Sequence, residues 1–418
     1  MEGCMARLSV SESIQHSVIV RYLEGLMDQE SVCDRLNIHR STLWRKIKRY
    51  QEYGPPGLAH RSRGKPGHRR LDSELHQAVC RLYREEYLPF GYTTAHFYQE
   101  AIEHQPSYPV SYPTVLRWFK QARLVTATRK SAKHRSRRPR KDQFGELLQQ
   151  DTSIHDWLCQ GQRLALISAI DDCTSTLCGL RLFPSDTTCG NMTVLHDVIA
   201  RYGLPAALYV DRSPIFKVTR TGGIGKIVQP TFEAPYITQF QRALTQLGIE
   251  LIHAYSPQSK GRVERSYGSL QNRLLPEFKK NGITCLTKAN AYLNDIYRSK
   301  HNQRFAADPA WVPSAFVPLL DVDLSTVLAE KYQLTVSNDH IVSSKLAGVA
   351  LRIKPDPKAG RISFAKAKVD VFKHLDGTVT VRYQGKPLPV EPLDPLYERQ
   401  RKQLIHSLLS PPRPPHQR

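Results

Sequence analysis

Two apolar runs determine the fold of the central region, Leu164-Ala-Leu-Ile-Ser-Ala-Ile170 and Leu177-Cys-Gly-Leu-Arg-Leu-Phe183. The segment Asp171-Asp-Cys-Thr-Ser-Thr176 joins them, and its polar residues are typical of a turn. The stretch therefore predicts a strand, a hairpin turn and a second strand, buried well enough to form the start of a sheet.

Helices and strands alternate after this hairpin. The pattern predicts helices over 188–202, 239–247 and 261–275, and strands over 207–210 and 249–253. Because crossovers between strands of one sheet are right-handed, the later strands should lie parallel beside the first. We therefore expect an α/β domain over residues 146–318, with a mixed sheet and helices on both faces.

Before this core, residues 12–26 and 28–53 have the pattern of helices. Asn37 is suited to the turn in the second stretch, because asparagine tolerates a left-handed backbone. This layout predicts a helix-turn-helix domain over residues 1–60 in an all-α N-terminal region. The buried stripe is expected to contain Val32, Leu36, Ile38, Leu43 and Ile47. Base edges would be contacted by Arg40, Ser41 and Thr42, and phosphates by Arg45, Lys46 and Arg49.

Residues 72–128 have a similar pattern of helices, which predicts a second helix-turn-helix-like domain. Its last helix begins near Ser111 and carries apolar side chains at helical spacing. Trp118 and Phe119 are expected in the core of this domain, whereas Arg117 and Lys120 should point outward toward DNA.

The charge of the chain points to a polyanionic partner. Lys and Arg number 60 against 38 Asp and Glu, which gives a net charge of +22 and a pI near 9.7. Two basic linkers, 61–71 and 129–145, concentrate this charge, and each is either a solvated tether or a strap on DNA phosphates. The residues expected to touch DNA there are Arg61, Arg63, Lys65, Arg137 and Arg138.

The sequence also argues against a membrane protein, a secreted protein and a zinc-binding protein. No run approaches eighteen apolar residues, and residues 1–15 lack the pattern of a signal peptide. The eight cysteines are scattered without a CxxC pair, which favours reduced thiols over a zinc site. We expect a cytoplasmic protein that binds neither a membrane nor zinc.

The C-terminal part has short strand candidates at 333–336, 349–353, 368–373 and 378–383. Asp376-Gly377 between the last two is typical of a hairpin turn. We expect a small β-barrel over residues 325–395, followed by a basic, Pro-rich tail at 396–418.

Three carboxylates lie where functional groups converge in open α/β sheets. Asp151 follows a polar segment just before the sheet region, Asp211 follows a buried strand, and Glu264 opens a helix. A single aspartate at a strand end is usually a turn or a cap. Three carboxylates together repel one another unless a divalent cation is bound, and oxygen ligands suit Mg²⁺ or Mn²⁺. Two such ions, roughly 3.5–4 Å apart, can support an in-line phosphoryl transfer.

Four motifs carry a family resemblance: Gln149-Gln-Asp151-Thr-Ser-Ile-His-Asp-Trp157, Ile170-Asp-Asp-Cys-Thr-Ser175, Tyr209-Val-Asp211-Arg212 and Ser256-Pro-Gln-Ser-Lys-Gly-Arg-Val-Glu264-Arg-Ser-Tyr-Gly-Ser-Leu-Gln-Asn-Arg273. With them the chain resembles bacterial insertion-sequence transposases that have a retroviral-integrase-like DDE core, of the loosely grouped ISNCY type.

This resemblance implies an RNase H-like catalytic core in which Asp151, Asp211 and Glu264 are the catalytic residues and the metal ligands. It implies two Mg²⁺ ions per active site, replaceable by Mn²⁺, with Asp151 bridging both. The implied partners are double-stranded DNA, as terminal repeats and as target, and further copies of the chain on paired ends. The implied location is the bacterial cytoplasm, at the nucleoid.

The resemblance also assigns supporting residues. Gln258, Lys260 and Arg262 would grip the DNA ends, and His155 and Asp156 would lie close to the catalytic residues. Asp171 and Asp172 are better explained by the hairpin turn than as ligands.

The chain also departs from the family pattern. The segment between Asp211 and Glu264 is longer than in compact integrases, and Gln271 stands where related cores often have Lys or Arg.

Two alternatives to an active transposase follow from the same residues. One is a catalytically silent, domesticated DNA-binding regulator, and the other is a stand-alone RNase H-like nuclease. The intact carboxylate triad argues against the first, and the two helix-turn-helix modules argue against the second.

Overall fold

The computed structural model describes residues 9–60, 73–125, 139–218, 227–228, 237–254, 261–344, 348–354 and 363–393. Close contacts divide the chain into two compact units, residues 1–79 and 80–418. No helix within these ranges has the length and apolar character needed to cross a lipid bilayer.

Residues 9–60 of the first unit form three α-helices. They are α1 (Val10–Leu23), α2 (Gln29–Leu36) and α3 (Arg40–Tyr53), followed by a 3₁₀ turn at Pro55–Leu58. Asn37 ends α2 with a left-handed backbone (φ 50°), as the sequence predicts. His39 then begins α3, because its ring nitrogen accepts a hydrogen bond from the Ser41 N–H. The helix-turn-helix prediction is confirmed.

The predicted apolar stripe forms the core of this unit. Val32 and Leu43 are completely buried, and Ile47 is nearly so. They pack with Ile19 of α1, and Leu58 closes the cluster. Burying a side chain of this size stabilises a fold by about 1.5–3 kcal/mol, so this cluster holds the three helices together.

The second unit begins within α4 (Ser73–Glu86). A 3₁₀ turn at Leu88–Phe90 leads to α5 (Thr94–Phe97), which continues as a π-helical turn at Tyr98–Ile102, and then to α6 (Tyr112–Gln121). Aromatic rings form the core here. Tyr83 stacks on Phe119 at 4.3 Å and meets Phe97 edge-on at 5.0 Å between ring centres. Trp118 and Phe119 are buried, as predicted.

A five-stranded sheet is the centre of the second unit. Its strands are β1 (Leu148–His155), β2 (Leu164–Asp171), β3 (Leu177–Phe183), β4 (Ala207–Val210) and β7 (Glu250–His253). A separate two-stranded pair consists of β5 (Ile227–Val228) and β6 (Ile237–Thr238). The order in the sheet is β3-β2-β1-β4-β7. The first three strands are antiparallel, whereas β4 is parallel to β1 and β7 is parallel to β4. The predicted mixed sheet is confirmed.

Helices cover both faces of this sheet. They are α7 (Thr188–Tyr202), α8 (Gln239–Leu247), α9 (Gly261–Lys280), α10 (Leu286–Tyr292) and α11 (Arg298–Phe305), with a π-helical turn at Leu293–Tyr297. Successive residues of β2 show the two faces, because Ile167 packs with α7 and α8 while Leu166 packs with α9 and α10. This is the arrangement expected of the RNase H-like core.

The segment around α5 packs against α9 through a polar contact. His96 lies 2.9 Å from the Glu277 carboxylate, measured from Nε2 to Oε1, and both side chains are almost fully buried. Lys300 lies between Glu100 (2.5 Å) and Glu277 (3.4 Å), so its charge offsets theirs. Helix α9 is thereby held at its C-terminal half.

The C-terminal region is built of short antiparallel strands after α12 (Leu324–Val327). They are β8 (Glu330–Thr335), β9 (Ile341–Ser344), β10 (Val349–Ile353), β11 (Lys368–Lys373), β12 (Val379–Tyr383), β13 (Lys386–Leu388) and β14 (Val390–Pro392). They form a four-stranded sheet, β13-β12-β11-β8, and a three-stranded sheet, β14-β10-β9. Val342, Val371 and Val381 belong to one core shared by both sheets. The small β-domain is confirmed, and its closure into a barrel stays a prediction.

Candidate active site

The register of two parallel strands aligns Asp151 with Asp211. The last residues paired between β1 and β4 are Gln149 and Tyr209. Asp151 and Asp211 each follow two residues later, and residues two apart in an extended chain share a face. The two carboxylates therefore lie on the same side of the sheet. Asp211 comes immediately after β4, and its Oδ1 accepts a hydrogen bond of 2.9 Å from the Ser213 N–H.

That side of the sheet is the one covered by α9. Gln150 donates a hydrogen bond to Asn191 of α7, so the side chain of the next residue, Asp151, lies on the opposite face. Tyr267 of α9 donates from its hydroxyl to the main-chain carbonyl of Asp151. The same hydroxyl accepts a hydrogen bond of 2.9 Å from Ser168, the registered partner of Asp151 on β2. Helix α9 is thus attached to the sheet at Asp151.

Glu264 lies in the first turn of α9, three residues before Tyr267. Residues three apart on a helix are neighbours on its surface. The backbone of Glu264 is therefore one helical turn from the residue that contacts Asp151. The Glu264 side chain lies outside the described residues, so its convergence with the two aspartates stays a prediction.

Asp186 is a further carboxylate beside the two aspartates, and sequence reasoning missed it. Burial raises its pKa, hydrogen bonds from Asn191 and Thr152 lower it, and the negative charges of Asp211 and Asp151 raise it again, leaving it above its usual value. The signal that could have found it is its position, since it follows the end of β3 and comes just before α7.

The chemistry of this donor set fits a hard divalent cation. Asp151 and Asp211 offer carboxylate oxygens from the same side of the sheet, and the charges of both raise the pKa of Asp186. Repulsion between negative charges of this kind is the condition that a bound cation relieves. Mg²⁺ and Mn²⁺ prefer oxygen ligands of this kind. Asp151 and Asp211 are therefore able to hold such an ion.

The hairpin aspartates have structural roles, in agreement with their interpretation as turn residues. Asp171 is fully buried and accepts hydrogen bonds from the N–H groups of Gly145 (2.9 Å) and Thr174 (2.7 Å). Asp172 accepts one of 2.6 Å from the Gln149 side chain. These bonds fix the turn between β2 and β3.

His155 and Asp156, predicted to lie close to the catalytic residues, have identifiable local partners. The Asp156 carboxylate accepts hydrogen bonds from the N–H groups of Gly161 (2.8 Å) and Gln160 (3.0 Å), which lower its pKa. The His155 ring packs edge-on against Trp157 at 5.5 Å. Asp156 therefore stabilises the turn after β1.

The predicted DNA-contacting residues of α3 lie at its exposed start. Arg40, Ser41 and Arg45 are exposed, and Thr42 is half-buried. Two basic side chains have partners within the domain: Lys46 donates to Gln15 at 2.7 Å, and Arg49 donates to the Ala59 carbonyl at 2.9 Å. Trp44, which sequence reasoning did not single out, is 52% exposed on the same helix.

Only some of the other predicted DNA-contacting residues belong to the described part of the chain. Arg117 and Lys120 are exposed on α6, as predicted. The remainder lie outside the described residues, Arg262 by its side chain only: Arg61, Arg63, Lys65, Arg137, Arg138, Gln258, Lys260 and Arg262.

Comparison with known proteins gives relatives over most of the chain. Residues 9–59 match the homeodomain-like domain family. The chain is 29% identical over 383 residues to "Putative transposase y4bF" of Sinorhizobium fredii, covering 90% of this chain and 80% of that protein. It is 26% identical over 331 residues to the transposase for insertion sequence IS1202 of Streptococcus pneumoniae, covering 71% and 69%.

The chain is also similar to solved structures of retroviral integrases. The HTLV-2 integrase catalytic core domain in complex with magnesium matches with 18% identity and a TM-score of 0.26, over 37% of this chain and 89% of that one. The simian T-cell lymphotropic virus intasome in complex with PP2A regulatory subunit B56 gamma matches with 16% identity and a TM-score of 0.28, over 72% and 100%. Over most of its length the chain is therefore similar to bacterial transposases, one of them the transposase of an insertion sequence, and its residues 9–59 are similar to homeodomain-like domains.

Proposed function

We propose that the chain is a DNA transposase that binds the terminal repeats of a mobile element and catalyses metal-dependent strand cleavage and strand transfer. The observation that carries this proposal is the shared side of the sheet on which Asp151 and Asp211 lie, with α9 attached at Asp151 through Tyr267. The relationship to bacterial transposases supports it.

In this proposal Asp151, Asp211 and Glu264 would hold two Mg²⁺ ions, for which Mn²⁺ could substitute. Such ions, when bound, would supply activation of a water or a 3′-hydroxyl and charge stabilisation of the leaving oxygen in an in-line displacement. The protein contributes by positioning: the strand register sets the two aspartates side by side, and Tyr267 fixes the helix that carries Glu264.

DNA binding is assigned to the basic modules before the core. The exposed start of α3, with Arg40 and Ser41, suits the major groove, as in other helix-turn-helix domains. The helices over 72–128 and the basic linkers 61–71 and 129–145 add contacts to phosphates. We place the protein in the bacterial cytoplasm, as an oligomer that bridges paired element ends.

The test uses the full chain with a labelled duplex that carries the element's terminal repeat, Mg²⁺, and sequencing of the products. Wild type should cleave at the element end, and Asp211→Asn should lower the cleavage rate by roughly a hundredfold or more while duplex binding is retained. The matched control is Asp197→Asn, which changes a carboxylate that pairs with Arg181 at 3.1 Å. This control should cleave like wild type.

Two outcomes would contradict the proposal. Equal cleavage by wild type and Asp211→Asn would reject the catalytic assignment. Tight, sequence-specific binding with no cleavage by wild type would instead favour the DNA-binding regulator.

A further inference from the structure

The two residues that flank Asp151 are linked to each other through the start of α7. Thr152 donates from Oγ1 to Asp186 Oδ1 at 3.1 Å. Gln150 donates from Nε2 to Asn191 Oδ1 at 2.8 Å, and Asn191 donates from Nδ2 to the same Asp186 oxygen, also at 2.8 Å. Asp186 and Asn191 thus connect both neighbours of Asp151. We call these four side chains the β1–α7 clamp.

Two members of the clamp lie in the protein interior. Gln150 and Asn191 are completely buried, so breaking the hydrogen bond between them would leave polar groups that water cannot reach. Asn191 also donates to the main-chain carbonyl of Thr187 at 3.0 Å. Thr187 in turn begins α7, since its hydroxyl accepts a hydrogen bond from the Gly190 N–H. The clamp is therefore anchored at the N-terminus of a helix.

The pairing partners of strand β1 change near Asp151. The residues paired between β1 and β4 end at Gln149, so Asp151 lies two residues beyond that part of the ladder. Beyond that point β1 is held by β2 on one edge and, through Thr152, by Asp186. A shift of β1 here would move Asp151 relative to Asp211.

We propose that Asp186 is a positioning residue of the transposase site: through Thr152 and Asn191 it keeps Asp151 in place beside Asp211. The proposal rests on the proposed function. Asp186 acts through hydrogen bonds to its neighbours, and both of these are accepted by one carboxylate oxygen, Oδ1. An amide oxygen at this position can accept the same two bonds, whereas a methyl group cannot.

The experiment compares Asp186→Ala, Asp186→Asn and the control Asp197→Ala in the full chain. Mn²⁺ binding is followed by electron paramagnetic resonance, and end cleavage is measured against Mn²⁺ concentration. Asp186→Ala should weaken Mn²⁺ binding about tenfold and slow cleavage by a similar or larger factor. Asp186→Asn should recover most of both losses, and Asp197→Ala should behave like wild type.

Impairment of Asp186→Asn as severe as that of Asp186→Ala would overturn the positioning role, because the charge and not the hydrogen bonds would then matter. Wild-type Mn²⁺ binding by Asp186→Ala would overturn it as well. Should Asp186→Ala fail to fold by thermal melting, Thr152→Val removes one donor and leaves the acid unchanged. This variant should weaken Mn²⁺ binding several-fold, and an unchanged affinity would reject the proposal.

The variants Asp211→Asn and Asp186→Ala together distinguish an error in the positioning role from an error in the catalytic assignment. Loss of cleavage in Asp211→Asn together with unaltered Asp186→Ala rejects only the positioning role. Unaltered cleavage in Asp211→Asn rejects the catalytic assignment on which both depend.

Discussion

The hydroxyl of Tyr267 joins the middle of two adjacent strands to helix α9, by donating to the Asp151 carbonyl and accepting from Ser168. Burial of the phenol, reinforced by the negative charge of Asp151, holds the pKa of Tyr267 far above its usual range. The hydroxyl is therefore protonated at neutral pH and remains a donor. This bond fixes the helix that carries Glu264 to the strand that carries Asp151.

Tyr267→Phe should accordingly damage both the fold and the chemistry. The variant keeps the ring but leaves the Asp151 carbonyl and the buried Ser168 hydroxyl without this partner, at an expected cost of about 1–3 kcal/mol in the free energy of unfolding. End cleavage should be impaired more than duplex binding, because the helix that carries Glu264 loses its attachment to Asp151. Chemical denaturation and single-turnover cleavage measure the two effects.

The control for this change is Tyr202→Phe, whose ring packs in the core on the opposite face of the sheet. It should leave the cleavage rate unchanged. If Tyr267→Phe cleaves and unfolds like wild type, α9 is not held at Asp151 in the way that the structure indicates.

The stability of the second unit should fall in mild acid because of His301. Burial, with a further contribution from the charge of Arg273, lowers the pKa of this α11 side chain from 6.5 to about 4. Between these values the unfolded chain binds more protons than the folded one, so stability is complete above pH 6.5 and is lost as the pH falls toward 4. The shift corresponds to about 3 kcal/mol.

Urea unfolding at pH 7.5 and at pH 4.5 measures this loss. His301→Gln should remove most of the difference between the two pH values, whereas His196→Gln, at a side chain that is 43% exposed, should keep it. An identical pH dependence in wild type and His301→Gln would show that another group is responsible.

DNA affinity should depend steeply on salt, and individual basic residues should account for parts of that dependence. Each phosphate contact removed lowers the slope of log affinity against log salt by about 0.9. Arg45→Ala should reduce the slope by about this amount for all sequences, whereas Ser41→Ala, at the predicted base-contacting position, should relax sequence preference without changing the slope.

Fluorescence anisotropy across a salt series, with specific and scrambled duplexes, separates these effects. The control is Arg181→Ala, whose guanidinium already pairs with Asp197 in the core domain. A slope that Arg45→Ala leaves unaltered would remove this residue from the phosphate contacts.

Local patterns explain what the sequence could predict. The hairpin of β2 and β3 and the turn at Asn37 depend on neighbours in the chain, and both are found as predicted. The first helix is displaced from the predicted 12–26 to Val10–Leu23. The reason is also local: Ser9 and Glu12 form a capping box that begins the helix earlier, and Gly25 with φ 74° follows its end.

Contacts between distant segments explain what could not be predicted. Asp186 reaches Thr152 only because the connection from β3 to α7 returns to β1, and no periodicity reports this. The buried pair of His96 and Glu277 joins residues 181 positions apart. Sequence reasoning therefore found both aspartates, Asp151 within β1 and Asp211 directly after β4, but missed the side chains around Asp151.

The most direct test of the central claim is a measurement of manganese anomalous scattering from crystals of the full chain bound to a terminal-repeat duplex. The account predicts two manganese peaks, roughly 3.5–4 Å apart, with the carboxylates of Asp151, Asp211 and Glu264 as their protein ligands. Manganese bound elsewhere, or a Glu264 carboxylate remote from both aspartates in the DNA-bound state, would contradict it.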